Sequence, residues 1–161
     1  NKVTAKLFDV ADSAKKMVAL GEDGLRSYIS SIGLYNTKAK NVVALSEILE
    51  NEYGGKVPEQ FDLLVQLPGV GRKGANVFLN SALGVPRIAV DTHVFRVSNR
   101  IGLVEEKDVL GVEISLEKVV PEKWKLYAHH WLVLHGRYVC KARAPMCGRC
   151  IVSDLCKSSS V

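Results

Sequence analysis

The chain lacks most of what would mark a membrane, secreted or repetitive protein. No uncharged apolar run approaches the roughly 20 residues that a spanning helix needs, and the N-terminus carries no signal-peptide pattern. We therefore expect a soluble intracellular protein with no membrane partner. There is no internal repeat and no low-complexity linker apart from a serine tail at 158–160, which excludes a repeat architecture. No two segments alternate convincingly in the strand period, so an all-α fold is expected. Cysteine is missing from the first 139 residues and then occurs four times, at Cys140, Cys147, Cys150 and Cys156. Without a secretion signal, that clustering favours metal ligation over two disulfides.

What remains is a basic chain of 161 residues with net charge +5, long enough for one good core or two small ones sharing a cleft. The first 60 residues balance eight basic against eight acidic side chains, and the rest hold fourteen against nine. The excess fits a polyanionic partner touched mainly by the C-terminal part.

Helical signals follow one another along the chain. Residues 3–8 read as the tail of a helix with no cap before it, so the start looks truncated. Asp12 or Ser13 can cap a segment that Gly21 breaks, and Leu25, Tyr28, Ile29 and Ile32 pattern the next. Asn36 or Thr37 can cap a longer helix with Val42, Leu45, Ile48 and Leu49 on its apolar face. A short helix follows Pro58, and further helices open at Arg72, at Asp91 or Thr92, and at Asp108. The helix opening at Asp108 would bury Val109, Val112, Leu116 and Val119. An aromatic-rich one spans Trp124, Tyr127 and Trp131, and the apolar stretch 88–90 reads as a buried connection.

The stretch 67–91 organises the rest. Gly69 and Gly71 flank one valine after a proline, so the backbone there can turn sharply and approach a ligand closely. The helix opening at Arg72 offers unpaired N–H groups to a phosphate. Lys73 sits at the positive end of that helix dipole, which favours a nucleophilic amine. Such an amine can attack the anomeric carbon of a nucleoside and expel the base, while a carboxylate such as Asp91 stabilises the charge that builds on the sugar. The plainer roles are a phosphate contact for Lys73 and a helix cap for Asp91. His93, two residues after Asp91, is the histidine expected nearest the cleft, and His129, His130 and His135 read as packing or hydrogen-bonding groups.

The cysteine pattern C-x6-C-x2-C-x5-C lets one loop wrap a single centre, and spacing alone admits zinc or a [4Fe–4S] cluster. Lys141, Arg143 and Arg149 decorate this loop as a backbone-contacting element requires; a solvated face is the plainer account.

Three motifs occur in one order: LPGVGRKGANV at 67–77, AVDTHVFRVSNR at 89–100, and HHWLVLHGRYVC at 129–140 leading into the cysteine loop. Over essentially the whole chain this resembles the endonuclease III family of helix-hairpin-helix DNA glycosylases. The resemblance implies a six-helix-barrel domain (1–85) and a [4Fe–4S] domain (86–161), with damaged double-stranded DNA bound across the cleft. It implies Lys73 as nucleophile and Asp91 as essential aspartate, with Cys140, Cys147, Cys150 and Cys156 as cluster ligands. DNA contacts fall to Leu67, Gly69, Val70, Gly71, Arg72, His93, Lys141 and Arg143. The implied activity is excision of oxidised pyrimidines with β-elimination at the abasic site, by a monomer. Adenine-excising relatives with the same cluster lack a lysine where this chain has Lys73. Two departures stand out: the family's N-terminal helices and its gap-filling glutamine loop precede the point where this sequence starts, and Gly74 replaces the usual threonine. They leave open a non-catalytic iron–sulfur DNA-binding protein, or one that needs a partner chain.

Overall fold

A computed structural model describes residues 3–160. Its order is α1 (Thr4–Phe8), α2 (Ala14–Ile29), α3 (Tyr35–Tyr53), α4 (Phe61–Leu64), α5 (Arg72–Leu83), α6 (Thr92–Ile101), α7 (Val109–Val119) and α8 (Glu122–Tyr138), then two 3-10 turns, Cys147–Arg149 and Ser153–Leu155. No strand occurs among the described residues, and no described helix is long and apolar enough to cross a membrane. The residues fall into two compact units that divide between Gly71 and Arg72, whereas the resemblance implied domains of 1–85 and 86–161. The reason is local: α5 is bonded to the elements that follow it, through Arg72 to Glu113 at 2.5 Å and Asn80 to the Arg87 carbonyl at 2.9 Å.

In the first unit Leu7, Met17, Leu25, Ile29, Ala39 and Val43 form the core. Ser13 caps α2, and Gly21, with φ +68°, puts a non-helical residue inside it, which is the break its sequence suggests. Helix α3 departs from expectation. It opens at Tyr35 with no side-chain cap, because Leu34 before it adopts the left-handed conformation. Its buried face is Ala39, Val43, Ser46 and Leu49, so Leu49 is buried as expected while Val42 packs only at the edge of the core.

The second unit packs around Ile88, Val90, Val94, Val104, Val112, Leu116 and Ala128; each fully buried aliphatic side chain there contributes about 1.5–3 kcal/mol. Asp108 caps α7, yet Val109 and Val119 are exposed and the buried face is Val112, Glu113 and Leu116. The sequence pattern there was apolar on more sides than the core could use. Helix α8 buries Ala128, His129 and Gly136, while Trp124, Tyr127, Trp131 and Leu134 lie on its exposed side. Gly136 allows close contact with α6, because a Cβ there would meet His93 Cβ and Val97 Cγ2, each at 3.0 Å.

Candidate functional site

Chain geometry first sets the turn before α5. Val70 N–H donates to the Leu67 carbonyl at 3.0 Å, closing a tight turn around Gly69, whose φ is +76°. Only glycine adopts that conformation without strain, and a Cβ at Gly69 would come 2.8 Å from Asn41 Nδ2 and 3.0 Å from Asn41 Cβ. Gly71 differs: its φ is not positive, and a Cβ there would enter open space. The two glycines that the sequence treats alike thus have different reasons. The Leu67 side chain is buried, so it anchors the turn from below while its carbonyl closes it.

Arg72 and Lys73 are the first two residues of α5 and both are exposed. The Arg72 guanidinium is paired with the buried Glu113 carboxylate, which braces the helix start. No hydrogen bond or ion pair within the described structure engages the Lys73 amine. Asp91 is the N-cap of α6, and a single oxygen, Oδ1, accepts both His93 N–H at 2.8 Å and Val94 N–H at 2.9 Å. This satisfies two of the helix's unpaired donors and leaves the other carboxylate oxygen uncommitted. A cap and a chemically available carboxylate therefore coexist in one side chain.

The buried His129 links these two residues electrically. Burial holds its imidazole below the ordinary value of 6.5, with the Ala89 carbonyl acting against that; the Lys73 charge lowers it further and the Asp91 charge raises it. Both charges therefore reach one ring. His93 is half-buried and its Nδ1 lies 3.2 Å from Arg96; arginine only donates, so this nitrogen accepts. Arg96 also binds the Gly136 and Cys140 carbonyls, tying α6 to the end of α8.

All four cysteines are free thiols and line one cavity of about 220 Å³. Arg100 reaches Cys140 Sγ at 3.7 Å and the carbonyls of Lys141 and Ala142 at 2.8 Å. His135 Nε2 lies 3.6 Å from Cys150 Sγ. Hydrogen bonding from Ser160 lowers the Cys147 thiol. Lys141, Arg143 and Arg149 are exposed around this loop. Among the described residues, no three His, Cys, Asp or Glu side chains are grouped as a single metal ion would need.

Sequence reasoning passed over Leu34. It is the one described residue other than glycine with positive φ, +59°, and it is 78% exposed. A leucine so placed carries about 1–3 kcal/mol of backbone strain, and such strain concentrates at functional positions. Its sequence signal was the lack of any capping residue between Gly33 and α3.

Comparison with known proteins agrees with this geometry. The family described as "HhH-GPD superfamily base excision DNA repair protein" matches residues 1–122. Endonuclease III of Escherichia coli strain K12 is 54% identical over 157 residues, covering 98% of this chain and 74% of that protein; the Rickettsia felis protein of the same name is 53% identical, with the same coverage. A solved structure described as a trapped endonuclease III–DNA covalent intermediate superimposes with TM-score 0.93 at 44% identity, over 99% of this chain and 75% of that one. A thermostable thymine-DNA glycosylase gives TM-score 0.90 at 26% identity, over 98% and 75%. The chain belongs to the endonuclease III family of the HhH-GPD superfamily.

Proposed function

We propose that this protein is a bifunctional base-excision repair enzyme, a DNA glycosylase and abasic-site lyase for oxidised pyrimidines, in which Lys73 is the nucleophile and Asp91 its carboxylate partner. The observation that carries the residue assignment is the pairing of an unengaged lysine amine at the start of α5 with a carboxylate that caps α6 through one oxygen only.

The chemistry follows from those two groups. The damaged nucleotide must leave the stack before its sugar can be reached, and weakly paired lesions leave at a lower cost. The neutral Lys73 amine attacks C1′, forming a carbon–nitrogen bond while the base departs with the electrons of the glycosidic bond. Positive charge builds on the sugar in that step, and the open oxygen of Asp91 stabilises it and relays protons. The adduct opens to an imine, which makes a C2′ proton acidic, and its removal expels the 3′ phosphate oxygen by β-elimination.

The remaining elements suit a duplex. The Gly69 turn leaves open space at Gly71 for a phosphodiester, and Lys141, Arg143 and Arg149 add backbone-directed charge. Arg72, held by Glu113, acts mainly as a brace, and His93 orients the start of α6. Leu34 has the exposure and the fixed left-handed backbone that suit an apolar wedge between base steps. We assign residues 140–156 to a [4Fe–4S] centre within a cluster domain, the N-terminal part belonging to a six-helix barrel. The donor set suits that group: Cys140, Cys147, Cys150 and Cys156 all line one cavity, and four thiolates from one loop are the ligands such a cluster takes. Cys140, Cys147, Cys150 and Cys156 would hold it, and their ligation would cross-link the loop and couple its folding to the metal.

Borohydride reduction during reaction with abasic-site duplex tests the assignment. Wild-type protein should be trapped covalently and Lys73→Ala should not, while retaining most duplex affinity. Trapping of the alanine variant would move the nucleophile elsewhere.

A further inference from the structure

Asp91 is delivered to α6 by a segment, 87–90, that belongs to no helix or sheet. Ile88, Ala89 and Val90 are at most 2% exposed, and buried extended backbone must find partners for its N–H and C=O groups. Side chains from three helices provide three of these partners. Asn80 of α5 donates to the Arg87 carbonyl at 2.9 Å. Glu117 of α7 accepts Ile88 N–H at 2.7 Å, and its other oxygen meets Lys125 at 3.0 Å. His129 of α8 bonds the Ala89 carbonyl through Nδ1 at 2.8 Å; since a carbonyl only accepts, Nδ1 carries the proton.

We propose that Asn80, Glu117 and His129 are positioning residues for Asp91, clamping the backbone that aims its free carboxylate oxygen, with His129 the principal member. The inference rests on the glycosylase reading above and adds to it the parts that hold the carboxylate in place. A strand in a sheet would gain its register from a ladder of backbone bonds; this segment gains it from three side chains, each replaceable singly. His129 is the member nearest the chemistry. It grips the residue two positions before Asp91, and its ring senses both Asp91 and Lys73. A carboxylate displaced by an ångström costs rate far more than affinity, because the misplacement acts on the charge developing in the transition state.

The test compares His129→Leu, which removes the donor, with His129→Asn, whose amide nitrogen stands near the Nδ1 position. Single-turnover excision and affinity are measured on one duplex carrying an oxidised thymine, and amide hydrogen exchange is followed at His93 and Val94, the two donors to Asp91. For His129→Leu we expect excision to slow by about tenfold to hundredfold with duplex affinity unchanged and faster exchange at both amides. His129→Asn should recover most of the rate and the protection. Wild-type excision by His129→Leu, loss of rate and affinity in step, or an asparagine variant as slow as the leucine variant would each overturn the clamp. If His129→Leu does not fold, Glu117→Ala at its half-exposed position serves instead: slower excision at unchanged affinity supports the clamp, and wild-type excision overturns it. If the wild-type protein neither excises nor traps, the glycosylase reading fails and exchange alone decides. Faster exchange at His93 and Val94 then supports the clamp, and unchanged exchange overturns it.

Discussion

Replacing Asp91 by asparagine separates its two roles, because the structure divides them between its two oxygens. The cap uses Oδ1 alone, at 2.8 and 2.9 Å from two amides, and an asparagine Oδ1 can make the same bonds. Asparagine and aspartate are near-equal N-caps, whereas alanine costs about 0.5–2 kcal/mol. The asparagine variant loses only the attraction of a negative charge to the helix dipole, about 0.3–1 kcal/mol. For a chain of this size that is a fall in Tm of at most about 2–4 °C. Chemistry should respond differently. Removing a group that stabilises transition-state charge typically costs about 10²–10³ in rate, so excision should slow by that factor in Asp91→Asn. Thermal unfolding and single-turnover excision on the same preparations decide the matter, with Asp91→Ala as the variant that should lose both. Excision by Asp91→Asn at the wild-type rate would refute the catalytic role, and destabilisation as large as that of Asp91→Ala would refute the division between the oxygens.

Gly69→Ala should destabilise the first unit by about 1–2 kcal/mol from the left-handed backbone alone, with further loss from contact with Asn41, and should weaken duplex binding; denaturant unfolding and binding titrations check both, and Gly71→Ala is expected to spare stability. His129 sets a pH dependence. Burial depresses its native value below 6.5, so the unfolded state takes up the proton first, and this contribution to stability is complete above about pH 6.5 and declines as the pH falls below it. Denaturant melts from pH 7.5 to 5 should show less of that decline in His129→Asn. Cys150→Ala should lower iron content and visible absorption, together with salt-sensitive duplex binding; full iron retention would remove Cys150 from the ligand set.

Much of the working surface was legible in the one-dimensional pattern. Asp91 and Asp108 as caps and the break at Gly21 all follow from local backbone chemistry, which a few neighbouring residues fix. The resemblance to endonuclease III was equally local, carried by three short motifs. Faces and partners were less legible. Val109 and Val119 looked like core positions and are exposed, because an apolar residue is buried only where another element covers it. On α3 the small residues Ala39 and Ser46 are buried beside Val43 and Leu49, for the same reason.

The sequence by itself determined the helical order, the glycine turn, the lysine and aspartate set eighteen residues apart, and the thiols gathered in one loop. Those depend on residue type and spacing, which act over a few bonds. Only the tertiary structure decided which oxygen of Asp91 is committed to the cap, that Arg72 is held by Glu113, and that Asn80, Glu117 and His129 converge on one unladdered segment. The Glu113 pair and the three contacts to that segment join positions seven to forty-one residues apart in the chain, and no local periodicity encodes which distant side chain will satisfy a buried group.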